Sequence, residues 1–102
     1  MELMRHLMVI FLVLLPLAAA AQDPGAGRPL AERWCMACHV VEREPPTITP
    51  DRGPSFPVIA AKPGTTAESL RRYLSMGHTH MPDFALSRYE SDALIAYILS
   101  LR

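Results

Sequence analysis

Cys35, Cys38 and His39 are the residues of this chain whose types and spacing carry a recognisable chemistry. Cysteine occurs nowhere else, and His39 follows the second cysteine directly. The segment Cys35-Met36-Ala37-Cys38-His39 has the C-x-x-C-H spacing of a c-type haem attachment site. Residues three apart share one side of a helical turn, so two thiols placed there can each add to a vinyl group of the same porphyrin. The adjacent imidazole then reaches the iron as its proximal ligand. On this reading the chain supplies two covalent tethers and one axial nitrogen, and the one-electron iron couple belongs to the cofactor. Other uses of a cysteine pair have their own requirements. A thioredoxin-like redox pair sits in a βαβ pattern, which this sequence lacks. A zinc site needs further ligands, and the remaining histidines follow no finger-like spacing. A structural disulfide is open to any secreted chain.

A haem held by one histidine needs a group for the opposite face of the iron. Met81-Pro82 is the leading candidate, in a stretch from Gly77 to Phe84 without helical pattern. A thioether is soft and uncharged; it favours ferrous iron and raises the potential. Pro82 fixes its own φ and restricts Met81, which stiffens the segment that would deliver the sulfur. The competing reading of a single methionine is a core gap-filler. Met76, His78 and His80 are rival ligands, and a histidine would lower the potential. Met36 lies inside the attachment motif itself.

The elements that must position these groups are helical. A first helix is expected to open at Pro29, a residue favoured at the first helical position. Leu30, Trp34 and Cys38 then recur at i, i+4 and i+8 along one apolar face. Residues 43–54 hold Pro45, Pro46, Pro50 and Pro54 and read as an irregular loop. Residues 55–61 form a short helix. Thr65-Thr66-Ala67-Glu68 reads as a capping box that opens a helix carrying Leu70, Tyr73 and Leu74 and ending near Gly77. Ser87-Arg88-Tyr89-Glu90 is a second capping box. The last helix shows an apolar face of Ala93, Leu94, Tyr97, Ile98 and Leu101. Nothing alternates with period two, so the fold class is all-α, with short helices and loops wrapped around one cofactor.

Residues 1–21 read as a cleaved secretory signal, with Arg5 and His6 in a short basic start, an apolar core from Leu7 to Leu17, and Ala18 to Ala21 as the cleavage region. The apolar stretch 7–21 is 15 residues long, short of the roughly 18–20 that a spanning helix needs, so no stable membrane anchor is expected. The remaining residues, 22–102, make one small domain, which is marginal without a staple; a covalently held haem would be that staple. Acidic and basic residues balance at ten each over the whole chain, which gives no footing for nucleic-acid binding. Lys62 is the single lysine.

Taken together these features resemble a small bacterial class I cytochrome c, over residues 27–101. Gly27 stands eight residues before the first cysteine, Gly53-Pro54 follows a loop, Met81-Pro82 precedes the last helix, and that helix runs from Leu86 through Ala96-Tyr97-Ile98 to Leu101. The resemblance implies the cytochrome c fold and haem attachment outside the cytoplasm, in the periplasm. It implies that the carbonyl of Pro54 accepts a hydrogen bond from the free ring N–H of His39, orienting the imidazole and strengthening it as a donor. It implies that Gly27 and Tyr97 sit where the first and last helices cross. Trp34, Phe56, Ile59, Tyr73, Leu74 and Leu94 are candidates to line the haem pocket, and Arg52, Tyr73 or Trp34 to reach a propionate. The chain departs from members that dock through a ring of lysines, and a histidine, His80, stands directly beside Met81.

The function this supports is periplasmic electron transfer between redox protein partners through one covalent haem c. The cofactor-binding residues are Cys35, Cys38, His39, Pro54 and Met81, with His39 and Met81 on the iron. Such a chain is a carrier and not an enzyme, either a monomer or a subunit of a periplasmic dehydrogenase or oxidase. A haem sensor with a labile sixth position is the rival of a different class; carbon monoxide binding would separate the two. A thiol oxidoreductase is the more distant one.

Overall fold

The structure is a computed structural model and describes residues 1–6, 23–77 and 80–102. Most of the expected signal segment, and His78 among the rival ligands, lie outside the described residues. After a helical stretch at residues 2–6, four helices follow: α1, Pro24–Trp34; α2, Phe56–Ala61; α3, Ala67–Ser75; and α4, Arg88–Leu99. No strand occurs among the described residues, and the all-α class is the observed one. No helix among them is long and apolar enough to cross a membrane.

α1 starts earlier than Pro29 predicts. Asp23 is its N-cap, the side chain accepting from the Gly25 N–H at 2.9 Å, and Pro24 takes the first helical position. Pro29 lies inside the helix. The buried line along α1 is Gly27, Ala31 and Cys35, while Leu30, Trp34 and Cys38 flank it half-buried. The difference has a steric cause: the helix packs through its smallest residues, so the bulky apolar row stands beside the contact line. The helix stops at Trp34, with Cys35 as C-cap, so Cys38 is not on it. A single further turn, in which the His39 N–H donates to the Cys35 carbonyl at 2.9 Å, carries the motif onward.

α4 is the centre of the core. Ala93, Leu94, Ile95, Tyr97 and Ile98 are buried on it, and it meets α1, α3 and α2, α1 most extensively. The α1 crossing is close because Gly27 has no side chain: a Cβ there would stand 2.6 Å from Tyr97 Cβ and 2.7 Å from the Ala93 carbonyl carbon. This crossing of Gly27 with Tyr97 agrees with the expectation. α4 opens on the expected capping box, Ser87 with Glu90. The box on α3 is shifted by one residue, to Thr66 with Ser69. Glu68 instead pairs with Arg72 at 3.1 Å, and the serine hydroxyl closes the reciprocal bond that the glutamate was expected to make. At the other end of α4, the Arg43 guanidinium donates to the carbonyls of Ser100 at 2.8 Å and Arg102 at 3.2 Å.

Candidate haem site

Three hydrogen bonds join the motif segment to the loop that contains Gly53-Pro54. The Gly53 N–H donates to the Cys38 carbonyl at 2.9 Å, and the Phe56 N–H to the Val40 carbonyl at 2.8 Å. Between them, His39 Nδ1 lies 2.7 Å from the Pro54 carbonyl oxygen. A carbonyl only accepts, so Nδ1 carries a proton, and in the neutral imidazole that leaves the lone pair on Nε2. Pro54 therefore sets both the tautomer and the direction of the ring. Gly53 lies directly against the imidazole: a Cβ there would stand 2.8 Å from Nδ1 and 3.0 Å from Nε2.

A ladder of rings ties this imidazole to the core. His39 and Phe56 have centroids 5.6 Å apart, and Phe56 meets Tyr97 edge-on at 6.5 Å. The Tyr97 hydroxyl donates to the Val41 carbonyl at 2.6 Å in a buried bond, so α4 holds the chain two residues beyond His39. Burial raises the Tyr97 phenol above its ordinary range. Tyr97→Phe keeps the ring and leaves that carbonyl unpaired. It is expected to cost about 1–2 kcal/mol, read from chemical denaturation of the holoprotein.

The imidazole faces a cavity of about 520 Å³, within the size range of cofactor pockets. Cys35, His39, Pro54 and Met81 are on its walls. Of the apolar candidates, Phe56, Ile59, Tyr73, Leu74 and Leu94 line it and Trp34 does not. Leu70, Ile98 and the exposed Val58 were not foreseen, nor were the polar Lys62, Thr65 and Ser69 at its wall. The first two carried a signal, since each belongs to an apolar helical face; the polar residues carried none. Met76 caps α3, is 50% exposed and is not on the wall. His80 is exposed, and neither it nor Arg52 lines the cavity.

The two thiols differ. Cys35 is buried and lines the cavity, and Cys38 is half-buried and does not line it. Burial, with a smaller contribution from Cys38, pushes the Cys35 thiol up to about 11. A thiol oxidoreductase needs an attacking thiolate near neutral pH, and Cys35 is the opposite. The two sulfurs are free of any disulfide.

An all-helical domain that closes on an apolar cavity, with a C-x-x-C-H turn and an oriented imidazole on its wall, defines the class of c-type cytochromes. Residues 22–98 match the family model described as cytochrome c oxidase, cbb3-type, subunit III, and the chain belongs to that family of cytochromes c. It is also similar to cytochrome c-552 of Bradyrhizobium diazoefficiens, with 44% identity over 85 residues that cover 83% of this chain and 81% of the relative. No solved structure gives a significant match. The chain is a small class I c-type cytochrome and an electron carrier, and its cofactor is covalently bound haem c. The residues present fit that group: the cavity is mostly apolar, and an imidazole with a free Nε2 stands on its wall.

Proposed function

We propose that the protein is a periplasmic mono-haem cytochrome that passes single electrons between redox proteins, with His39 and Met81 as its axial ligands. Cys35 and Cys38 would be the thioether tethers, and Pro54 the group that orients His39. The observation that carries this reading is that His39 and Met81, and no other histidine or methionine among the described residues, line one apolar cavity. When bound, the haem supplies a one-electron iron couple. The protein's part is to hold it: Phe56, Leu70 and Leu94 exclude water, and the thioether of Met81 favours the ferrous state. With both axial positions taken by the chain's own residues, no position is left for a substrate, which is the ground for reading a carrier and not an enzyme. Export rests on residues 1–21 as a cleaved signal, which leaves 22–102 as the mature domain.

Carbon monoxide tests this directly. Added to the reduced holoprotein, it is expected to leave the visible spectrum unchanged, because Met81 holds the sixth position. A carbon monoxide complex forming at once would put a haem sensor with an open or labile site ahead. A second reading, a dedicated subunit of a larger oxidase or dehydrogenase, is favoured by the description of the matched family and by Val58, 61% exposed at the cavity wall. Co-purification with a larger protein through salt washes would select it over a free carrier, whose contacts are small and transient.

A further inference from the structure

Trp34 closes α1 one residue before Cys35, and Phe84 lies three residues beyond Met81. Their ring centroids are 5.1 Å apart with the planes tilted by 37°. The guanidinium carbon of Arg33 stands 4.8 Å from the centroid of Trp34. Pairs at these separations attract beyond simple burial. Neither ring lines the cavity, so the haem reading leaves both unexplained. Trp34 is the anchored member, packed against the buried core, whereas Phe84 is at the surface, 36% exposed.

The segment from Met81 to Ser87 also holds one uncommon backbone conformation. Ala85 has φ 50, the left-handed region that residues with a side chain adopt uncommonly. The hydrogen bond from the Ala85 N–H to Asp83 Oδ1, at 2.8 Å, is internal to the segment. Two contacts that tie the segment to the rest of the fold are those of Phe84 with Trp34 and of Leu86 with the core.

We infer that Trp34 and Phe84, with Arg33 stacked on the indole, form a clasp that fastens the Met81 segment to the end of α1, and that both are positioning residues for the sixth ligand. The clasp joins the haem-attachment end of α1 to the ligand-bearing segment through protein alone. It rests on the reading of Met81 as an axial ligand.

The test uses the ferric holoprotein and imidazole as an external ligand, which binds iron only after the Met81 segment lets go. Its uptake is followed by loss of the weak far-red absorption band of methionine–iron(III) coordination. Phe84→Ala is expected to tighten apparent imidazole binding about tenfold, the upper end of what an aromatic pair contributes. Phe84→Leu, which keeps apolar bulk and loses the ring, should move in the same direction by a smaller factor, and Phe84→Tyr should restore the original affinity. Arg43→Ala, which removes the hydrogen bonds to the Ser100 and Arg102 carbonyls away from both the clasp and the cavity, should leave imidazole affinity unchanged. Unchanged binding in Phe84→Ala, or an equal rise in Arg43→Ala, overturns the clasp while leaving Met81 as the ligand. A far-red band that is missing from the unmodified protein, or that survives Met81→Ala, overturns the ligand reading and the clasp with it.

Discussion

The holoprotein carrying Gly27→Ala is expected to melt roughly 15 °C below the unmodified protein, a loss of about 3 kcal/mol for a domain of this size. Helix propensity alone predicts the reverse, since alanine is favoured over glycine inside a helix by about 1 kcal/mol. Packing decides the sign. The added Cβ would meet the Tyr97 Cβ at 2.6 Å and the Ala93 carbonyl carbon at 2.7 Å. Neither can swing aside as the end of a long side chain would, so α1 and α4 must separate. Cys35 is buried on the same line of α1 as Gly27, and the separation would also disturb the attachment turn. Gly77→Ala is the internal control, because a Cβ there meets nothing within 4 Å. Thermal unfolding followed by circular dichroism checks both; a Gly27→Ala protein as stable as the control would remove the close crossing from the account.

Gly53→Ala is expected to act on the iron through His39. The new Cβ would press on the imidazole at 2.8 Å from Nδ1 and 3.0 Å from Nε2. Either the ring turns or the Gly53-Pro54 loop retreats, and both lengthen the 2.7 Å bond to the Pro54 carbonyl. That bond gives the imidazole anionic character, which holds ferric iron more firmly than ferrous. Weakening it should raise the reduction potential, by about 60 mV if the preference for ferric iron falls tenfold. Potentiometric titration of Gly53→Ala beside Gly77→Ala measures this. An unshifted or lowered potential would mean that the Pro54 bond does not govern the donor strength of His39.

Much of this arrangement was legible in the sequence, for reasons that differ between residues. The haem motif is local, five consecutive residues whose chemistry depends on little else, and the Ser87–Glu90 capping box is equally local. The α4 face followed from a regular apolar period. The start of α1 lies earlier than Pro29 because two prolines can take the first helical position, and the Asp23 cap selects Pro24. The buried line Gly27, Ala31, Cys35 was hidden by its small side chains, since periodicity registers bulk and a close crossing is made by its absence. The place of Gly53 against the imidazole, and of Lys62, Thr65 and Ser69 at the cavity wall, depends on contacts between segments far apart in the chain. No local pattern encodes those contacts. The pairing of Trp34 with Phe84 is of the same kind, and it also explains why Trp34 is absent from the cavity that its spacing pointed to.

The central claim is that His39 and Met81 together hold the iron, and the ferric absorption spectrum of the holoprotein tests it most directly. The account predicts the weak far-red band of methionine–iron(III) coordination in the unmodified protein and its loss in Met81→Ala, with the haem still covalently attached. A ferric spectrum without that band, or one that keeps it when Met81 is replaced, would contradict the account.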